Sequence, residues 1–212
     1  RTIASIAPSS FATLDTAQLA GLTSAQAAAL TTAQIGGLSS DQFDGLTTAA
    51  IAALSSTQLR ALSTDTFASL STSQVAAINS RAFAGLSSTQ IQALSSEQIG
   101  SLTTALLALL SSAAVAGLTT DDIDVLDPSD IAAINARAIA GLSTANIAAL
   151  DSAQLAALTS AQLSALTTAQ VRALTSSQVA GLSSGQFAAL SSTQIRTLST
   201  DSIVALNTDQ VA

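Results

Sequence analysis

The chain contains no Cys, His, Met, Trp, Tyr or Lys. Zero cysteine excludes a disulfide framework and thiolate metal sites. Without His, Cys or Lys, the usual general base, thiol nucleophile and Schiff-base amine are missing, so no enzymatic activity and no cofactor are expected. Charge is equally scarce. Charged residues make up 9% of the chain, the six basic residues are all Arg and scattered, and the net charge is −7. Phosphate backbones and anionic lipids call for clustered Lys or Arg, which argues against nucleic acid and membrane surfaces as partners. There is no run of 18 apolar residues, hence no expected membrane span.

What is abundant is repetition. Counting from Ile6 in steps of eight, every position up to Leu206 is Leu or Ile, giving 26 consecutive octads without an insertion or deletion. Such a period points to a repeat architecture. The second position is Ser, Thr, Asp or Asn in 25 octads, Ala7 being the exception, and these are the preferred helix N-caps. Gln holds the fifth position in 15 octads. The sixth is large and apolar in all but one, where Ala27 stands, and it carries all five Phe. Ala or Gly is usual at the eighth, which holds seven of the ten glycines.

The unit Leu86-Ser87-Ser88-Thr89-Gln90-Ile91-Gln92-Ala93 makes the logic explicit. Ser87 and Gln90 have the spacing of a capping box, and Leu86 and Ile91 that of a hydrophobic staple. Both prolines, Pro8 and Pro128, fall at the third position. That is the first helical residue, where a missing N–H costs nothing. One continuous helix is excluded because eight residues turn it by about 800°, so the apolar stripe would drift roughly 80° per repeat. A β-solenoid fits poorly, because the first and sixth positions would lie on opposite faces of a straight strand.

The sequence therefore predicts an all-α solenoid of very short, about one-and-a-half-turn helices, one per octad over positions three to eight. The first and sixth residues should face inward, and the third, fourth and seventh should face water. Three or four octads would each close a compact polygon. Residues 1–212 are expected to form a single continuous solenoid, a segment of a longer array.

Two site-like features stand out. Asp121, Asp122, Asp124, Asp127 and Asp130 form the densest charge cluster, a candidate Ca²⁺ site because hard cations want several carboxylates. Against it, Asp127 sits at an N-cap position and Asp122 and Asp130 replace the capping-box Gln, where negative charge suits the helix dipole. The octads Ile78–Gly85 and Ile134–Gly141 share an unusual form, with Arg81 and Arg137 at position four and Ala in place of Gln. They mark a candidate lateral contact.

The runs Ala29-Leu30-Thr31-Thr32-Ala33-Gln34-Ile35 and Ala165-Leu166-Thr167-Thr168-Ala169-Gln170-Val171 resemble the ALTTAQ-type octapeptide arrays of very large bacterial secreted and cell-surface proteins. The resemblance spans essentially the whole chain and brings no catalytic residues with it. It implies an extracellular or cell-surface location and a structural role in a fibre, stalk or self-assembling matrix, with self-association end to end or laterally. The alternative is an adhesin-type module recognising carbohydrate or a protein partner. A recurring exposed aromatic or charged row would favour the adhesin, whereas all five Phe fall on the core phase.

Overall fold

A computed structural model describes residues 3–211. Arg1, Thr2 and Ala212, the last of these the seventh residue of the final octad, lie outside the described residues. After a short 3₁₀ turn at Ile3–Ser5, every regular element is an α-helix, from α1 (Pro8–Phe11) to α26 (Thr208–Val211). All 26 helices begin at the third position of an octad and run for four to six residues. Many stop at position six or seven rather than eight.

The chain divides into two compact units, residues 1–106 and 107–212. Within each, a helix packs on the one three octads later. In the first unit α1 pairs with α4 (Thr32–Gly36), and α4 with α7 (Ser56–Arg60). In the second, α16 (Pro128–Ala133) pairs with α19 (Ser152–Ala157), and α19 with α22 (Ser176–Gly181). Three octads, 24 residues, therefore make one turn.

Corners are built from two extended residues. Ile134 adopts φ −57° and ψ 126°, and the caps at position two sit near φ −74° and ψ 156°, as at Thr159. No described residue has a positive φ, so the turns need no left-handed glycine. The caps form as the spacing predicts. Ser87 N–H donates to Gln90 Oε1 at 3.2 Å, and Gln90 N–H donates to Ser87 Oγ at 3.3 Å. Ala7 caps nothing with its side chain, and there the helix opens on Pro8.

Inside each turn lie the first and sixth residues. Ile91, Ile99, Leu163 and Val171 are fully buried, with Leu94, Leu102 and Leu166 nearly so. Fully burying a side chain of this size stabilises by about 1.5–3 kcal/mol, and an isolated helix of six residues would not hold without it. Glycine at position eight serves close approach. A Cβ on Gly141 would lie 2.0 Å from the Ser112 carbonyl oxygen, and one on Gly85 2.8 Å from Ser56 Cβ.

Candidate functional site

Position five carries the chemistry that joins one turn to the next. In α20 (Ser160–Ala165), Gln162 Oε1 accepts from the N-cap N–H of Thr159 at 2.9 Å. Its Nε2 points the other way and donates to the Ile131 and Ile134 carbonyls at 2.8 and 2.7 Å. These acceptors lie 31 and 28 residues earlier, at the helix end and corner of the turn below. Helix ends leave such carbonyls without intrahelical donors, so one carboxamide seals the start of its own helix and the corner beneath it.

The arrangement recurs in both units. Gln34, Gln42, Gln58 and Gln74 make it in the first, and Gln154, Gln170, Gln178, Gln186, Gln194 and Gln210 in the second. Gln98 likewise donates to the carbonyls of Ala68 and Leu70. Gln162 is 1% exposed and Gln34 equally so, which makes position five part of the interior. Its burial was not evident from helical phase. Gln18 and Gln26, in the first turn, keep their capping boxes but are exposed and donate to no carbonyl below.

From octad 102–109 to octad 142–149 the glutamine is replaced in turn by Leu106, Ala114, Asp122, Asp130, Ala138 and Asn146. Asn146 still reaches one acceptor, the Leu118 carbonyl, at 2.9 Å. Asp122 and Asp130 are buried and act as caps, Asp122 accepting from Thr119 N–H at 2.8 Å and Asp130 from Asp127 N–H at 3.2 Å. Loss of solvent raises the Asp130 pKa above the ordinary carboxylate value, and the neighbouring Asp127 charge pushes the same way. Asp127, exposed at its N-cap, is held below that value by the Ser129 hydroxyl and the Asp130 N–H. Asp121 and Asp124 face solvent. Among the described residues no three carboxylates gather as a metal-binding group.

Arg81 and Arg137 are both exposed, one in each unit. Their N-caps differ. Asn79 Oδ1 accepts from Ala82 N–H, while Asn135 Oδ1 accepts from Arg137 N–H, both at 2.9 Å. Beside Arg137 lies an open cleft of about 300 Å³ between Leu109 and Asn135. A second cleft of about 320 Å³ runs past Thr72 and Glu97, over a corner that Gln98 already seals. No described helix is long and apolar enough to cross a membrane.

Fold and corner chemistry together define a class, the short-helix solenoid with three octads per turn and amide-sealed corners. The family description "ALTTAQ repeat" matches residues 3–40, 28–56, 38–72, 51–84, 67–104, 123–160, 147–184, 157–192 and 179–212. The chain belongs to the ALTTAQ repeat family. The residues between the matches, 105–122, hold Leu106, Ala114 and Asp122, three successive octads without glutamine at position five. No curated protein matches the chain.

Proposed function

We propose that the chain is a structural repeat segment of an extracellular bacterial fibre, stalk or self-assembling matrix, lengthened by head-to-tail stacking of turns. The observation that carries this reading is that the two sides of a turn are complementary. The lower side presents position-one side chains and glutamine amides, as at Ile6, Gln18 and Gln26, all exposed. The upper side presents position-six side chains, with Ile203 and Val211 44% and 67% exposed. It also presents the Leu198 and Leu206 carbonyls, which accept no side-chain donor among the described residues. The contact that joins turns inside a unit can therefore join copies. Such heterologous contacts do not close, and they propagate as filaments.

Light scattering against concentration, with electron microscopy of the same samples, tests it. Association is expected to rise with concentration, and Ile203→Asp with Val211→Asp should weaken it more than Ala156→Asp at an exposed seventh position. A strictly monomeric chain at high concentration would overturn the stacking. An adhesin-type module is the second reading, and the cleft beside Arg137 is the observation in its favour.

A further inference from the structure

One corner of the second unit lacks the amide seal and opens into a cleft. The octad Ile134–Gly141 has Ala138 at position five, so no amide descends from it to the carbonyls of Leu107 and Leu110, 31 and 28 residues earlier. Its sibling octad covers the equivalent corner with Asn79, whose Nδ2 donates to the Ala52 and Leu54 carbonyls at 2.9 and 2.7 Å. Asn135 does not follow. With its Oδ1 turned to Arg137 N–H, its Nδ2 has no acceptor and the Leu110 carbonyl no donor among the described residues. Between the two acceptors of Asn79 lies Ala53, and at the equivalent place between Ala108 and Leu110 lies Leu109. Leu109 is a bulky side chain at a position that is usually Ala or Gly, and it is 38% exposed.

The open corner is the cleft of about 300 Å³ lined by Ala108, Leu109, Leu110, Ser112, Asn135 and Arg137. We propose that it binds an acidic saccharide unit, a sugar ring carrying a carboxylate. The Leu110 carbonyl wants a donor and the Asn135 amide an acceptor, and neighbouring hydroxyls on one ring supply both. Among the described residues the exposed Arg137 guanidinium has no hydrogen-bond or ion-pair partner, and a carboxylate is the group it takes in bidentate fashion. The Leu109 side chain offers an apolar surface to the C–H face of the ring. The volume is at the lower end of small-molecule sites, about 300–1,000 Å³, which suits one ring. The assignment rests on the adhesin reading and is independent of stacking between copies.

The test is a titration of the full chain with glucuronate, followed by amide and side-chain NMR shifts, with glucose and acetate as controls. Saturable shifts confined to residues 107–112 and 135–138 are expected, with Kd on the order of 1 mM. Each control should bind about tenfold more weakly or worse, as loss of either the charge or the hydroxyls implies. Ala138→Gln is expected to send its amide to Leu107 and Leu110 as Gln162 does to Ile131 and Ile134, fill the cleft and abolish the shifts. Arg137→Gln keeps the cleft and should erase the preference for glucuronate over glucose. Equal binding of glucuronate by the Ala138→Gln and unaltered chains would overturn the site. Should that variant not fold, Leu109→Ala replaces it, with Asn135 expected to reach the Ala108 and Leu110 carbonyls as Asn79 reaches those of Ala52 and Leu54. Saturable binding of glucose with no preference for glucuronate overturns the acidic-sugar assignment and leaves the adhesin reading standing. Absence of any sugar binding overturns the site and the carbohydrate form of the adhesin reading.

Discussion

A carboxylate and a carboxamide accept an N-cap N–H equally well, but only the carboxamide can also donate. That difference governs position five. Fifteen octads carry Gln there and none carries Glu, although a capping box accepts either. The preference for Gln was the one signal in the sequence that this side chain has a second partner. Gln162→Glu should keep the cap, set a buried charge against two carbonyls and cost about 2 kcal/mol or more at neutral pH. The loss should shrink in acid, because the protonated acid can donate. Gln18→Glu, exposed with nothing beneath it, should move the urea midpoint hardly at all. Asp130 places a shorter, buried carboxylate at the same position. Its folded pKa is raised, so the native state binds this proton more tightly than the unfolded chain does. Its ionisation therefore costs stability above the folded pKa, and the cost is relieved as pH falls through it. Asp130→Asn should raise the midpoint at pH 7, with the gain fading toward about pH 3. Asp127 works in the opposite direction, since its lowered pKa gives stability that is lost as acid protonates it. Thermal or urea melts across that range separate the two.

At the scale of one helix, the chain is punctuated rather than continuous. Each start after α1 follows a capping residue at position two, so helix starts are readable from local chemistry alone, whereas the stops vary between positions six and eight. A cap contributes about 1 kcal/mol, against roughly 1–2 kcal/mol of backbone entropy for every residue ordered. Local signals thus set phase, and stacking supplies the stability. The glycines separate these contributions. Gly141→Ala places a methyl 2.0 Å from the Ser112 carbonyl oxygen, and forcing the two helices apart should cost about 1–3 kcal/mol. Gly181 has open space around its would-be Cβ and ends a helix. Gly181→Ala should stabilise by about 0.4–1 kcal/mol through the unfolded chain. Both residues are glycine at position eight, and nothing local distinguishes them. The neighbour three octads away does, and the denaturation midpoints should move in opposite directions.

At the scale of a unit, an octad is a replaceable part. Gln162 recognises backbone carbonyls rather than particular side chains, so the corner contact itself does not select the octad beneath it. Deleting Leu86–Ala93 moves later helices by a third of a turn and should still cost less than Leu94→Asp, which buries an unpaired charge and should cost several kcal/mol. Circular dichroism and urea melts of the two variants decide this, and a deletion more damaging than the point change would refute modularity. Helix class, the start of each helix and the inward phases of positions one and six follow from the sequence alone, because caps, prolines and apolar spacing act within eight residues. Three octads per turn, the burial of position five and the open corner at Leu109 were decided only by the tertiary structure. Each depends on which carbonyls a chain 24 residues away presents, and the local pattern carries no record of that distance.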